Sequence, residues 1–259
     1  MNILQQIIAD SRIELARRKE LKPYSILERE AASVAVTADF AAAFADKTKV
    51  NIIAELKKAS PSQGIIREHF CPAELAGELS SNGAAALSVL TETKYFKGGL
   101  ENLAAARRET KIPLLRKDFI YDEYQLLEAR ACGADAALLI VAALPPARLC
   151  ELISFAAALN LQVLVETHNR DEINIALDVE AGIIGVNSRN LKDFSIDLDE
   201  AAKMLQLIPE NKIKIMESGI KTVHDIKKYH ALGADGFLIG ESLMRQAQPG
   251  VLLRKLTAC

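Results

Sequence analysis

Short apolar runs recur along the whole chain, and each is followed by a stretch with the spacing of an amphipathic helix. Helical stretches of this kind cover residues 71–84, 122–135 and 224–236. The eight apolar runs cover residues 50–56, 84–90, 112–118, 136–141, 161–167, 182–188, 212–218 and 236–242. Most of them are apolar almost throughout, which is typical of parallel strands covered on both faces. The pattern therefore predicts eight β-strands that alternate with helices.

The repeat length indicates how these units assemble. From Glu55 to Gly240 the strands recur about every 26 residues, enough for one strand, one helix and two loops. Eight such units with right-handed crossovers close most naturally into a barrel. We therefore predict an α/β protein with a single (β/α)8 TIM barrel. An open doubly wound sheet is the alternative.

Residues 1–48 precede the first predicted strand and have no strand character. Two apolar groups lie in this segment: Ile3, Ile7, Ile8 and Leu15 near one helical face, and then Phe40 and Phe44. No Gly/Ser-rich or Pro-rich linker follows them. We expect an N-terminal helical extension packed over the mouth or the bottom of the barrel, with residues 1–259 forming one domain.

Composition excludes several classes of protein. Of 259 residues, 50% are hydrophobic and 25% charged, with 13 Gly and 8 Pro, which argues against disordered and collagen-like chains. The 32 basic and 34 acidic residues leave a formal charge of −2, so no general positive field attracts nucleic acid or an anionic membrane. Charged residues interrupt the apolar positions at the N-terminus, whereas a signal peptide or a membrane span has an uncharged apolar stretch. We expect a cytoplasmic monomer that binds neither nucleic acid nor membrane.

Cysteine and histidine spacing gives no sign of a metal site. The four cysteines, which are Cys71, Cys132, Cys150 and Cys259, form no C-x-x-C pair and have no histidine at a ligand interval. We interpret them as reduced thiols. Among the histidines, only His168 is expected near the mouth of the barrel, two residues after Glu166, and it is a weak candidate for a metal ligand.

Polar side chains collect where the predicted strands end, which is where barrels of this class carry their active sites. They are Glu55, Lys57, Lys117, Glu166, Asn187, Arg189, Glu217 and Ser218. Because strand side chains alternate, Glu55 faces the same way as Lys57, and Asn187 the same way as Arg189. One such charge can simply mark where a strand meets solvent. Their recurrence at successive strand ends predicts coupled titrations and acid–base chemistry.

The last two strand ends are rich in glycine. Ser218 and Gly219 follow the seventh strand, and Gly240 and Glu241 follow the eighth. Glycine also serves ordinary turns, but here it lets backbone N–H groups approach an oxyanion at the usual phosphate site of this fold. The partner predicted for the chain is therefore a small phosphorylated substrate.

Seven motifs then occur in an order that is specific for one family. They are I-I-A-E-L-K-K-A-S-P-S-Q-G at 52–64, T-E-T-K-Y-F at 91–96, L-L-R-K-D-F at 114–119, L-V-E-T-H at 164–168, G-V-N-S-R-N-L at 185–191, E-S-G-I at 217–220 and I-G-E-S-L-M at 239–244. Over nearly its whole length the chain resembles the indole-3-glycerol-phosphate synthase family. The resemblance implies a carboxy-lyase of tryptophan biosynthesis that uses no cofactor and no metal. Such an enzyme converts 1-(2-carboxyphenylamino)-1-deoxyribulose 5-phosphate into indole-3-glycerol phosphate, carbon dioxide and water.

The resemblance also implies catalytic roles. Lys117 is the acid that protonates the ketone oxygen during ring closure, for which a flexible ammonium group is suited. Glu166 is the acid–base partner of the dehydration. Glu55 positions or exchanges protons, and Lys57 contacts the substrate near its phosphate.

The remaining residues of the motifs bind the substrate by the same resemblance. Asn187 and Arg189 hold the sugar hydroxyls and the carboxylate, and Glu217 lies with them. The walls around the aromatic ring come from Ser60, Pro61, Phe96 and Phe119, although plain core packing is the alternative for both Phe residues. Phosphate is bound by Lys57 and by backbone N–H groups of Ser218, Gly219, Gly240 and Glu241.

Two positions depart from the family pattern. Ser188 stands where the family often has Asn, which is expected to shorten a supporting contact. Glu241 stands where some members have Ser, so we expect its carboxylate to point away from phosphate.

Other functions share parts of this pattern, because fold alone does not define an activity. Phosphoribosylanthranilate isomerase and ribulose-phosphate epimerase are also phosphosugar barrels. A Schiff-base aldolase would use Lys117 or Lys57 as its nucleophile. A barrel without turnover that senses a phosphorylated ligand, or serves as a subunit of a larger complex, is the non-enzymatic alternative.

Overall fold

The structure is a computed structural model that describes residues 3–35, 38–190 and 194–258. Within these residues eight parallel strands pair in chain order, and the last pairs with the first to close a barrel. The barrel strands are β1 (Ile52–Leu56), β4 (Ala86–Leu90), β5 (Leu114–Lys117), β6 (Ala136–Ile140), β7 (Gln162–Thr167), β8 (Ile183–Asn187), β9 (Ile213–Glu217) and β10 (Gly236–Ile239). A two-stranded antiparallel hairpin, β2 (Ala59–Ser60) and β3 (Gly64–Ile65), follows β1. The predicted (β/α)8 barrel is confirmed, and the open sheet is excluded.

Every barrel strand lies inside one of the eight apolar runs predicted from the sequence. The predicted runs are longer because they include the residues that turn the chain into and out of each strand. The last run also extends beyond its strand: β10 ends at Ile239, and Glu241 already begins a helix, in agreement with the expected position of Gly240 and Glu241 after the eighth strand.

Helices follow the barrel strands, as the sequence pattern predicts. They are α3 (Pro72–Ser81), α4 (Leu100–Glu109), α5 (Glu123–Ala131), α6 (Pro146–Ala158), α7 (Arg170–Asp178), α8 (Leu198–Leu205), α9 (Val223–Ala231), α10 (Glu241–Met244) and α11 (Pro249–Thr257). A short 3-10 helix, Val141–Ala143, follows β6. Gly83, Gly133 and Gly233, which follow α3, α5 and α9, have φ angles of 94°, 85° and 100°, the left-handed conformation that ends a helix.

The N-terminal extension covers both ends of the barrel. It consists of α1 (Ile3–Leu21), α2 (Tyr24–Ser33) and a 3-10 helix, Ala41–Phe44. Helix α1 places Ile3, Leu4 and Ile7 over the cavity at the carboxyl ends of the strands. The sequence left open which end the extension covers, and the structure shows that different parts of it cover each end.

The 3-10 helix closes the opposite end of the barrel. Phe40 and Phe44 are fully buried, with ring centroids 5.3 Å apart in an edge-to-face contact. They pack in one apolar cluster with barrel residues such as Ile53 and Ile215. Gly236, at the start of β10, leaves space for this contact, because a β-carbon there would lie 2.8 Å from the Phe44 ring. The interior of the barrel is thus filled from below by side chains of the extension.

Polar contacts hold α1 against the loops at the mouth. The Asp10 carboxylate accepts hydrogen bonds from Lys94 Nζ at 2.7 Å and from the Tyr95 hydroxyl at 2.5 Å. Further along the helix, Arg18 Nε donates to Glu128 Oε1 at 2.6 Å. These contacts join α1 to the loop after β4 and to α5.

In the ranges described above, no helix combines the length and the apolar character needed to cross a membrane. Cys71, Cys132 and Cys150 are free thiols. Cys259 lies outside the described residues.

We expect Phe44→Ala to lower the free energy of unfolding by about 3–5 kcal/mol, because it empties a large, fully buried site between the extension and the barrel. Phe155→Ala, on the half-buried face of α6, is the matched control and should cost clearly less. Urea denaturation of both variants checks this. Equal losses for the two variants would show that the extension does not fill the barrel.

Candidate active site

A cavity of about 790 Å³ opens at the carboxyl ends of the barrel strands, beneath α1. The side chains around it come from elements spread over the whole chain. Every residue that the sequence analysis assigned to the site lines it: Glu55, Lys57, Ser60, Pro61, Phe96, Lys117, Phe119, Glu166, Asn187, Arg189, Glu217, Ser218, Gly219, Gly240 and Glu241. Ile3, Leu4 and Ile7 of the N-terminal extension also contact this cavity, so this part of the extension lies at the mouth, one of the two positions expected for it.

Lys117 lies at the centre of the charged part of the cavity. Its Nζ lies 2.5 Å from Glu217 Oε2 and 3.2 Å from Glu166 Oε2. The lysine ends β5, whereas the two glutamates come from β9 and β7, so the closure of the barrel brings them together. All three side chains are largely buried, and their charges act on one another through little water.

Burial acts to lower the pKa of Lys117, but the negative charges of Glu217, Glu166 and Glu55 outweigh it and raise the pKa above its usual value. The group therefore remains an ammonium ion throughout the physiological pH range. It can donate a hydrogen bond or a proton, and it is a poor amine nucleophile.

The two carboxylates beside Lys117 differ in their affinity for protons. Burial and the nearby charge of Glu166 raise the pKa of Glu217, against the opposing charge of Lys117. For Glu166, burial is outweighed by the charge of Lys117 and by the His168 imidazole, whose Nε2 lies 3.2 Å away, so its pKa is lowered. Two glutamates on one ammonium group thus favour opposite protonation states, an arrangement suited to acid–base chemistry.

A second charged pair lies beside the first. Lys57 Nζ is 2.6 Å from Glu55 Oε2, which is consistent with the prediction that the two side chains face the same way. Glycines make room for the acidic groups: a β-carbon on Gly240 would overlap the Glu55 carboxylate, and one on Gly185 would overlap that of Glu217. Gly185 was not recognised in the sequence analysis, although a glycine inside a strand is a signal of such close approach.

An apolar wall faces the charged groups. The rings of Phe96 and Phe119 have centroids 6.1 Å apart and planes inclined by 42°. Both are only partly buried and both reach the cavity, so they are not simply core residues. Ser60 lies in the hairpin after β1, and Pro61 follows it directly. The wall offers a surface on which an aromatic ring can stack.

The end of the cavity near β9 and β10 presents backbone groups and guanidinium groups. Ser218 and Gly219 have φ angles of 66° and 78°, so the chain turns sharply at the end of β9. Ser188 supports this turn, since its hydroxyl lies 3.1 Å from the carbonyl oxygens of Glu217 and Ser218. Ser188, where the family often has Asn, therefore makes its supporting contact with backbone carbonyl groups.

Guanidinium groups surround the Glu241 carboxylate at this end. Arg245 Nη2 lies 3.1 Å from Glu241 Oε1 and 2.9 Å from Gln63 Oε1, and Arg189 Nη2 lies 3.8 Å from Glu241 Oε2. Arg245 and Lys221 line the cavity as well and were not predicted. The local excess of positive charge and exposed N–H groups suits an anion.

His168 contacts the charged cluster from outside the cavity. Its Nε2 lies 3.2 Å from Glu166 Oε1 and its Nδ1 lies 3.1 Å from Glu172 Oε2. Burial acts against protonation, but the neighbouring carboxylates of Glu166 and Glu172 raise the pKa of His168 to about 10. An imidazolium has no lone pair for a metal. Over the described ranges, moreover, no group of three or more His, Cys, Asp or Glu side chains is arranged to hold a metal ion.

Comparison with known proteins gives matches over nearly the whole chain. The family model described as indole-3-glycerol phosphate synthase matches residues 4–256. A protein of Albidiferax ferrireducens named indole-3-glycerol phosphate synthase is 42% identical over 99% of this chain and 98% of its own length. Another of that name, from Laribacter hongkongensis, is 44% identical over 99% of both chains.

Among solved structures, 3-hexulose-6-phosphate synthase from Salmonella typhimurium superimposes with a TM-score of 0.65. It is 15% identical and covers 81% of this chain and 97% of its own, so the likeness concerns the fold alone. The full-length sequence matches confirm the family, and with it the enzyme class, that the sequence motifs predict. The chain belongs to the indole-3-glycerol phosphate synthase family.

Proposed function

We propose that this protein closes 1-(2-carboxyphenylamino)-1-deoxyribulose 5-phosphate into indole-3-glycerol phosphate, with loss of carbon dioxide and water. The observation that carries the proposal is the Lys117 ammonium held between Glu166 and Glu217 in a cavity that also has an aromatic wall and an anion-binding end. The reaction requires all three: a proton donor, a surface for the anilino ring, and a site for the phosphate.

Ring closure is the step that requires an acid. The ring carbon that carries the carboxylate attacks the ketone carbon, and the electron pair of the carbonyl moves to its oxygen. Lys117 donates a proton to that oxygen, which prevents negative charge from building up. Carbon dioxide then leaves, and the electrons of the broken carbon–carbon bond restore the aromatic ring.

Dehydration is the step that requires an acid and a base. The hydroxyl formed in ring closure leaves as water when it receives a proton, and a proton departs from the adjacent nitrogen or carbon. Glu166, with its lowered pKa, is ionised and can accept that proton. Glu217, with its raised pKa, can exchange protons with Lys117 at 2.5 Å and so reset the acid.

The remaining residues orient the substrate. Phe96 and Phe119 contact the anilino ring. Asn187 and Arg189 bind the sugar hydroxyls and the carboxylate, for which a planar guanidinium is suited. The phosphate lies against Lys57 and the backbone N–H groups of Ser218, Gly219, Gly240 and Glu241. The Glu241 carboxylate is already paired with Arg245, which supports a role for its backbone alone.

A Schiff-base aldolase is a less suitable assignment. A lysine nucleophile must lose its proton before it attacks a carbonyl carbon, and a neighbouring cation or an apolar pocket usually lowers its pKa. Lys117 instead has three carboxylates around it that raise its pKa. The electrostatic environment thus keeps Lys117 protonated, which a general acid requires and an amine nucleophile does not.

We further propose that residues 1–259 form one domain and function as a cytoplasmic monomer. The N-terminal extension packs against both ends of the barrel, which supports one domain. Free thiols at Cys71, Cys132 and Cys150 suit a reducing compartment.

The assignment is tested by mixing the purified protein with the anilino-ribulose phosphate in the presence of a chelator and following indole fluorescence. We expect an emission signal that grows with time and with enzyme concentration. The background is low because the chain contains no Trp. If no indole product forms, the proposed function is wrong.

Lys117→Met should lower kcat by about 10²–10⁴-fold with little change in KM, since a proton donor acts chiefly in the transition state. Lys111→Met, an exposed lysine just before β5, is the matched control and should keep the activity of the unmodified enzyme. Steady-state kinetics at one pH checks this. Unchanged turnover in Lys117→Met would remove this residue from the mechanism.

Lys57→Met should raise KM for the phosphorylated substrate by about 10-fold or more, the scale of one charge-assisted hydrogen bond. For the same substrate without its phosphate, the variant and the unmodified enzyme should be nearly equal. Lys58→Met, the neighbouring residue, should leave both values unchanged. A loss of the same size on both substrates would show that Lys57 does not bind the phosphate.

A further inference from the structure

His168 makes contacts that the proposed mechanism does not yet use. The imidazole is largely buried and does not line the cavity, so it cannot touch the substrate. It lies between two carboxylates: Glu166 from β7 on one side, and Glu172 from α7 on the other. The residue therefore joins an outer acidic group to the carboxylate that faces Lys117.

The outer carboxylate is held firmly at the start of α7. Glu172 Oε2 accepts a hydrogen bond from the His168 backbone N–H at 2.8 Å, and Glu172 Oε1 accepts one from Asn169 Nδ2 at 2.7 Å. Asn169 in turn caps the helix by accepting from the Glu172 backbone N–H at 3.0 Å. Glu172 is thus anchored by the helix cap, and its carboxylate fixes the Nδ1 side of the imidazole.

The remaining groups around Glu166 come from other strands. Lys117 on β5 lies 3.2 Å from Glu166 Oε2, and the Asn187 side chain on β8 also lowers the pKa of the carboxylate. Glu217 on β9 and Glu55 on β1 contribute negative charge beyond Lys117. His168 is the group on the Oε1 side, where it faces Glu166 away from the cavity.

We propose that His168 is a positioning residue that, as an imidazolium fixed by Glu172, keeps Glu166 ionised and aligned with Lys117 for its role as the base. This inference rests on the proposed function for the role of Glu166. The positive charge on the outer side lets Glu166 stay a carboxylate even though it is buried. Because the imidazolium also neutralises Glu166, the carboxylate attracts the Lys117 proton less strongly. Lys117 can then donate that proton to the substrate.

The charge on His168 can be measured without any activity. We expect the ring nitrogens of His168 in the ¹⁵N-labelled protein to show the shifts of an imidazolium at pH 8, where an ordinary histidine is neutral. The signal is assigned by its absence in His168→Gln. Glu172→Gln, a change near the protein surface, removes one carboxylate and should lower the pKa of His168. A neutral His168 ring at pH 8 in the unmodified protein would overturn the proposal.

The effect on catalysis is measured as the dependence of kcat on pH. His168→Gln keeps a hydrogen-bond donor but loses the charge, so the pKa of Glu166 rises and the acidic limb of the profile moves to higher pH. We expect the acidic limb to move by about one pH unit or more, so that kcat at a given pH on that limb falls about tenfold, with KM within about twofold. In Glu172→Gln the basic limb should instead move to lower pH, with activity restored as the pH falls and His168 regains its proton.

His224→Gln, on the exposed start of α9, is the control and should leave both limbs in place. Loss of activity in His168→Gln without a shift of either limb, or a rise in KM as large as the fall in kcat, would indicate a merely structural role and overturn the proposal. If the unmodified protein forms no indole product, the proposed function fails. In that case, the ¹⁵N chemical shifts of the ring nitrogens at pH 8 still show whether His168 is positively charged.

Discussion

The ammonium group of Lys117 compensates two carboxylates, those of Glu166 and Glu217, that two other strands bury at the mouth of the barrel. Burying an isolated carboxylate is very costly, whereas a buried pair is tolerated when its geometry is good. Glu166 and Glu217 both contact Lys117 Nζ, and Glu55 lies near enough to raise its pKa. The stability of the site and its proton chemistry therefore depend on the same contacts. This electrostatic balance gives the two contacting glutamates different proton affinities.

The strand that carries Lys117 also connects the site to the roof of the cavity. Side chains alternate along β5, so Arg116 points out of the barrel while Lys117 points in. Arg116 is fully buried and pairs with Asp118 at 2.8 Å and with Glu128 at 3.2 Å. Glu128 also binds Arg18 of α1. One network of ion pairs thus links the helix over the cavity to the strand that carries Lys117.

The extension also divides the barrel interior into two regions. Phe40 and Phe44 fill the lower part together with aliphatic side chains of the strands. The charged groups lie between this apolar region and Ile3, Leu4 and Ile7 of α1. Charges enclosed between two apolar regions interact more strongly than they would in water. The N-terminal extension therefore contributes to the strength of the charge interactions at the mouth of the barrel.

The amino-acid sequence alone determined the strands, the barrel and the polar strand-end residues that meet at its mouth. Strand positions follow from local apolar runs, and a barrel brings the ends of its strands to one face whatever the loop details, so Glu55, Lys117 and Glu166 had to converge. The tertiary structure decided the rest, because pairings such as Lys117 with Glu166 and Glu217 join positions 49 and 100 residues apart. Two glutamates at strand ends look alike in a sequence. Only their distances to Lys117 and His168, and the depth at which they are buried, separate their protonation states.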